Sequence, residues 1–195
     1  MDEQFQKIVK DFVELKDTSE IMLDLAYSSL LLNSKELAEE VLRLEERVDL
    51  VHRDFQLLSL SCDMSAENAE ERLGLIEMGE VPERIANAAA EIAEVVLRGI
   101  EPHPVLRMVI RGADETVVRA TVPPNSSLIG KTLKEARIPE QTGMWILVVR
   151  RGDVWMRPTS ATMLQASDIL LASGYAEGRE DFWGLVGEER RRRRR

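Results

Sequence analysis

Apolar residues recur with helical spacing along the first hundred positions. Phe5, Ile8, Val9, Phe12, Leu15, Met22, Leu23, Ala26 and Leu30 follow the i, i+3, i+4, i+7 rule of one amphipathic helix without internal Pro or Gly. Asn33-Ser34 ends it, and Asn33 with Glu36 three residues on is a capping-box signature for the next helix. That helix has the cleanest pattern. Leu37, Val41, Leu44, Val48, Val51, Phe55, Leu58 and Cys62 alternate steps of four and three, a heptad seam of the kind that packs bundles or coiled coils. A third helix is expected to start near Ser65 and to carry Ala69, Leu73, Ile76, Ile85, Ala89, Ile92 and Val96, with a kink or break between Met78 and Pro82 from Gly79 and Pro82. Gly99 ends it. Glu101-Pro102-His103-Pro104 then reads as a stiff linker, residues 101–104, where helix is disfavoured and where the domain boundary falls.

Beyond the linker the period changes from helical to strand-like. Val117–Val122 is a short apolar strand, followed by the rigid turn Pro123-Pro124-Asn125-Ser126-Ser127. Leu128–Arg137 reads as a short helix with Ile129, Leu133 and Ala136 on one face. Met144–Val149 is an apolar run of strand length bounded by Gly143 and Arg150-Arg151-Gly152-Asp153. Arg151-Gly152-Asp153 turns the chain into Val154-Trp155-Met156, and Pro158 ends that strand of a hairpin. Ser167-Asp168 leads into Ile169-Leu170-Leu171-Ala172, a buried strand closed by Ser173-Gly174.

This order of segments resembles the TrkA-C, or RCK-C, domain, the C-terminal regulatory domain of potassium-transport regulators. The resemblance rests on Val122-Pro123, Leu128-Ile129-Gly130-Lys131-Thr132-Leu133, Gly143 to Gly152, Asp168-Ile169-Leu170-Leu171 and Gly174. Ser167 departs from it, standing where the family usually has glycine, which implies another turn type. The helical half is similar to PhoU domains through Glu45-Glu46-Arg47-Val48-Asp49, a Glu-x-x-x-Asp motif, and Glu83-Arg84-Ile85-Ala86-Asn87-Ala88-Ala89. In PhoU proteins these motifs bind iron or zinc. The resemblance therefore implies metal ligands at Glu45, Asp49 and Glu83. Asn87 replaces an acidic ligand of the family, which implies weak or no transition-metal retention.

Composition narrows the classes. The chain has 195 residues, 44% of them hydrophobic, enough for one or two cored domains. No run approaches a membrane span and the N-terminus lacks a signal-peptide pattern, so a cytoplasmic protein is expected, membrane-associated only through a transporter. A single cysteine, Cys62, excludes an internal disulfide and a Cys-based zinc site. Residues 1–104 hold 24 acidic and 10 basic side chains, net −14; residues 105–195 hold 11 and 16, net +5. Six of those cations are the run Arg190–Arg195 in a basic tail, residues 188–195. The tail suits either an acidic or phosphate-bearing surface or a solubilising terminus. Without a broad basic face on the body, no nucleic acid partner is expected.

Several side chains are candidates for chemistry. Glu45, Asp49, His52 and Gln56 share one face of the second helix, and Glu20 and Asp24 repeat the spacing on the first. They suit a hard or borderline cation, or equally a solvated acidic face beside the Val48/Val51/Phe55 seam. His103 reads as a solvated linker residue, and Asp153 and Asp168 as turn stabilisers. There is no Gly-x-Gly-x-x-Gly and no P-loop lysine, although full potassium regulators carry a Rossmann domain where this chain has helices. No catalytic triad is visible, and the chain is read as a non-enzyme.

The fold class expected is α+β. Residues 1–100 form a three-helix PhoU-like bundle, and residues 105–187 form a small α+β TrkA-C-like domain. By resemblance, the protein is a regulatory subunit of a potassium or other cation transporter. It would act as a homodimer whose C-terminal interface senses a small ligand. Some family members take a cyclic dinucleotide there, and the matching positions in this chain are Leu133, Lys134, Arg137 and Pro158, with Pro139 near the place of the family's pocket arginine. Cyclic di-AMP is the ligand this implies. The alternatives are a PhoU-like phosphate-transport regulator and a carboxylate-bridged metal protein. Dimerisation is also expected from the second-helix seam and the small size of the C-terminal domain.

Overall fold

A computed structural model describes residues 3–61, 69–99 and 115–187. Cys62, the expected start of the third helix near Ser65, the linker at 101–104 with His103, and the basic tail at 188–195 lie outside these residues. The chain divides into two compact units, Met1–Ile100 and Glu101–Arg195. The class is α+β: three long helices, then a small antiparallel sheet with short helices.

The first unit contains α1 (Glu3–Leu32), α2 (Lys35–Ser61) and α3 (Ala69–Leu97), each packed against both others. The heptad seam of α2 lies inside this bundle: Leu37, Val41, Val48 and Phe55 are fully buried. Leu44, Val51 and Leu58 of the same seam are partly buried. The buried face of α1 differs from the expected one. Ile8, Leu15, Met22 and Ala26 are inside, as are Ile21 and Leu25, but Phe5 and Val9 are about half exposed. The stripe runs through Asp11, Ser19 and Ser29, which a count of apolar residues passes over. The Ser19 and Ser29 hydroxyls donate to the carbonyls of Lys16 (2.9 Å) and Ala26 (2.7 Å), so their burial leaves no hydroxyl unsatisfied.

The capping box at Asn33 and Glu36 does not form. Asn33 is the left-handed residue that closes α1, at φ 48°. Ser34 is one residue later and accepts from the Leu37 N–H at 3.3 Å, so it begins α2. The helix does not break near Pro82: α3 runs from Ala69 to Leu97 with Pro82 inside it. Both punctuating residues face the core. Pro82 is buried, and Gly79 lies under the Phe55 ring, where a Cβ would overlap the ring carbons. Ala86, Ala89 and Ala93 continue this small-residue face, so α3 meets the large side chains of its neighbours at close range. Phe12 packs against the same Phe55 ring, centroid to centroid 5.9 Å.

In the second unit the sheet runs β1-β4-β2-β3, all antiparallel, from β1 (Glu115–Thr121), β2 (Met144–Arg151), β3 (Val154–Met156) and β4 (Ile169–Tyr175). Gly152-Asp153 makes the two-residue hairpin turn, with Gly152 at φ 59°. β4 does not close at Gly174, because Ser173, Gly174 and Tyr175 pair with β1. One face of the sheet is covered by the buried side chains Leu128, Ile138, Leu164, Phe182, Trp183 and Val186. Phe182, Trp183 and Val186 come from α6 (Arg179–Val186), a helix the sequence reading passed over.

The helix expected over Leu128–Arg137 is largely turn. Gly130 at φ 79° stops any helix there, and its N–H donates to Leu164 O (2.9 Å) across the fold. Only α4 (Leu133–Ala136) is helical, followed by α5 (Ile138–Thr142) after a left-handed Arg137. The face differs too: Leu128, Ala136 and Ile138 are buried, whereas Ile129 is 38% exposed. Ser167 adopts φ 68°, the glycine-favouring conformation, although it is not glycine.

Asp168 is fully buried and receives a two-pronged bond from Arg151, Nε to Oδ1 at 2.9 Å and an Nη to Oδ2 at 2.8 Å. Its Oδ2 also accepts the Gln165 N–H (2.9 Å), and Arg151 donates further to the Met163 carbonyl (2.8 Å). The turn-stabilising role read for Asp168 is its role here. Asp153 is an exposed turn residue that accepts from Arg150 at 3.3 Å.

Two outcomes follow from this packing. Gly79→Ala is expected to destabilise the helical unit by about 1–3 kcal/mol through overlap with Phe55. Gly74→Ala, where a Cβ meets nothing within 4 Å, is expected to stabilise it by about 0.5–1 kcal/mol. Urea unfolding followed by far-ultraviolet circular dichroism checks both. Asp168→Ala leaves the guanidinium without its partner and is expected to cost the second unit about 2–4 kcal/mol. Arg151→Lys keeps the charge but loses the fork, so it should retain only part of that stability. All three tryptophans, Trp145, Trp155 and Trp183, belong to this unit, so their fluorescence isolates its transition.

Candidate functional site

A capping box is present at Thr132. The Thr132 hydroxyl accepts the Glu135 N–H (3.2 Å), while the Glu135 carboxylate accepts the Thr132 N–H (2.8 Å). Bonds from the Thr132 backbone and hydroxyl hold the Glu135 carboxyl below its ordinary value. This cap fixes the first turn of α4, and the Leu133 and Lys134 N–H groups donate to the carbonyls of Thr162 (2.9 Å) and Ser160 (3.0 Å). The start of α4 is thereby tied to the segment after β3.

Between them opens a cavity of about 310 Å³. Its walls are Leu133 and Lys134 of α4, Ile138, Pro139 and Glu140 of α5, Trp145 and Ile146 of β2, and Pro158, Thr159 and Ser160. Three residues named from the sequence, Leu133, Lys134 and Pro158, thus line one cavity, and Pro139 joins them. The fourth, Arg137, is at the left-handed joint between α4 and α5, and its side chain is 69% exposed with Nε 3.9 Å from Glu140 Oε1. Glu140, Trp145, Thr159 and Ser160 were not read as site residues. Trp145 carried the available signal: a large aromatic in a strand, 53% exposed.

The other candidate is the acidic face of the helical unit. Glu45 and Asp49 of α2 act on each other electrostatically, as do Glu45 and Glu83 of α3. Burial first, and these neighbouring carboxylates second, push the Glu45 carboxyl above its ordinary value. His52 Nδ1 lies 3.6 Å from Glu83 Oε2, and Asn87 donates to Glu83 Oε1 at 3.3 Å. Asn87 thus occupies one Glu83 oxygen where the PhoU motif has a carboxylate. Among the described residues, no three His, Cys, Asp or Glu side chains are arranged to hold a metal ion. On α1, burial raises the Asp24 carboxyl, while Glu20 pairs with Lys16 at 3.4 Å.

Residues 12–96 match the model of the PhoU domain, and residues 117–182 match that of the TrkA-C domain. These families are regulatory rather than catalytic. No curated protein matches the chain. Among solved structures, the chain is similar to the RCK_C domain dimer of S. agalactiae BusR in complex with c-di-AMP: 16% identity over 37% of this chain and 97% of that one, TM-score 0.36. It is similar to the RCK C domain of the potassium transport protein KtrA in complex with c-di-AMP: 20% identity over 44% of this chain and 95% of that one, TM-score 0.34. It is also similar to S. agalactiae BusR in complex with its busA-promotor DNA: 13% identity over 62% of this chain and 67% of that one, TM-score 0.37. Among the described residues no helix is long and apolar enough to cross a membrane.

The raised Glu45 carboxyl gives a test of the acidic face. A folded value above the unfolded one means that the charged form is disfavoured by folding. Its cost is present at neutral pH and disappears as pH falls through the folded value. Glu45→Gln is therefore expected to raise the melting temperature of the helical unit at neutral pH, and the gain should fade on acidification. Were a cation bound among these carboxylates, the same substitution would lower it. Melting followed by circular dichroism across pH, with and without chelator, distinguishes the two outcomes.

Proposed function

We propose that this chain, a PhoU domain followed by a TrkA-C domain, is a regulatory subunit of a potassium or other cation transport system that senses an anionic ligand through its C-terminal unit. The observation that carries the reading is the cavity that joins Leu133, Lys134 and Pro158. Lys134 supplies a cation at its wall, and Arg137 a second at the joint beside it. Glu140 offsets one of these charges. In a homodimer two such cavities related by a two-fold axis double the remaining charge, which suits a symmetric, doubly charged ligand such as cyclic di-AMP. The exposed Trp145 ring offers a stacking face for a nucleobase, an interaction of about 1–3 kcal/mol per base.

The mechanism is a ligand-dependent dimer geometry. A ligand shared between two C-terminal units stabilises one arrangement of the dimer over another. The helical units pass that difference to a membrane-bound transporter subunit. This requires differential affinity for the two arrangements, since a ligand that binds both equally shifts nothing.

Calorimetry with cyclic di-AMP, other cyclic dinucleotides and ATP tests the reading. One cyclic di-AMP per dimer is the expected stoichiometry. At a hundredfold excess over the dissociation constant, mass action should stabilise the protein by about 2.7 kcal/mol. Lys134→Ala and Arg137→Ala should each weaken binding at least about tenfold, with little change in the unliganded protein, because both side chains are exposed. If no nucleotide gives heat or a melting shift, or if both variants bind as tightly as the parent, the ligand reading fails. A monomer in light scattering at micromolar concentration would remove the dimer on which it rests.

A further inference from the structure

The helix α3 carries an apolar strip that the bundle does not use. Gly74, Met78 and Val81 fall at i, i+4 and i+7, beside the buried positions Gly79, Pro82 and Ala86. Met78 is 56% exposed and Val81 46%, and with Leu75 they floor a shallow groove. Gly74 adds an independent sign. A glycine inside a helix weakens it relative to alanine. Its φ is not left-handed, and a Cβ there would meet nothing within 4 Å. No contact within the described chain requires a glycine at this position, whereas a side chain arriving from outside would fit the gap it leaves.

Charge selects the occupant. Glu71, Glu77 and Glu80 line the groove with one cation, Arg84. A second copy of this chain laid on the same strip would bring together six such carboxylates and only two guanidinium groups, and anionic lipid or nucleic acid would be repelled likewise. Methionine adapts its shape to different partners, and an acidic rim around apolar positions at helical spacing fits a helix-in-groove mode of recognition. We propose that the Gly74–Val81 strip of α3 docks an amphipathic helix of a partner protein, with apolar residues on the helix's inner face and Lys or Arg along its flanks. The inference stands apart from the ligand reading, since it concerns the helical unit alone.

The test uses the full chain and a fluorescein-labelled synthetic helical peptide with leucines at i, i+4 and i+7 and lysines on both flanks. Its control has the same composition, scrambled to remove the apolar face. In fluorescence anisotropy at physiological salt, the patterned peptide is expected to bind at least about tenfold tighter than the scrambled one. Met78→Asp with Val81→Asp should weaken it at least about tenfold, even though the two added negative charges would strengthen a purely electrostatic attraction. Met78→Gln with Val81→Gln, which favours helix better, should give a comparable loss, and circular dichroism confirms that each variant is folded. Gly74→Leu, which fills the gap, should also weaken binding. Equal binding of the two peptides, or unchanged binding by the glutamine variant, overturns the proposal. So does light scattering in which the aspartate variant dissociates a dimer, because a second copy would then occupy the strip.

Discussion

The C-terminal unit depends on the bond between Arg151 and Asp168. Arg151 ends β2, Asp168 precedes β4, and the guanidinium reaches from one to the other and on to the Met163 carbonyl. A buried carboxylate is costly unless its oxygens are occupied, and here Arg151 and the Gln165 N–H occupy them. In return the carboxylate raises the Arg151 guanidinium above its ordinary value. The pair thereby anchors the far end of the segment that runs from Pro158 to Ser167. That segment carries the carbonyls that hold Gly130, Leu133 and Lys134, so the walls of the cavity rest on an ion pair that does not line it.

The helical unit is organised by a size mismatch. Phe55 is the largest fully buried side chain of α2, and α3 opposes it with Gly79 on a buried face that also holds Pro82 and alanines. Gly79 and Pro82 read alone as breakers. In the bundle their lack of bulk and buried position make them contacts, and tertiary packing overrides their local preference. The same logic moved the face of α1, where serines that return their hydroxyls to their own helix can be buried like apolar residues.

Long periodic segments were legible in the sequence because burial repeats many times along them. The α2 seam is of this kind, and the apolar runs of β2 and β4 were legible by their strand length. What escaped were features set by one or two residues. The single helix read over Leu128–Arg137 gave way to turn and two short helices, because Gly130 and Arg137 take left-handed conformations and the backbone between them bonds to a distant segment. Ser167 holds the conformation for which a glycine is usual, so its departure from the family pattern changes the residue and keeps the left-handed backbone. At the cavity, Leu133, Lys134 and Pro158 came from family resemblance. Trp145 and Glu140 belong to it because the fold brings α5 and the start of β2 beside Pro158, Thr159 and Ser160, a meeting of segments that spacing along the chain does not encode.

The bonds that tie α4 to the segment after β3 have one more effect. The Leu133 and Lys134 amides already donate to Thr162 and Ser160. A helix start often greets an anion with free N–H groups, which hold it at fixed geometry. In this turn those donors are spent on the protein itself. An anion entering the cavity meets long, exposed side chains, whose hold weakens as salt screens it. Recognition of the proposed anionic ligand would therefore respond to the ionic strength of the surroundings, tightening in dilute salt and loosening in concentrated salt.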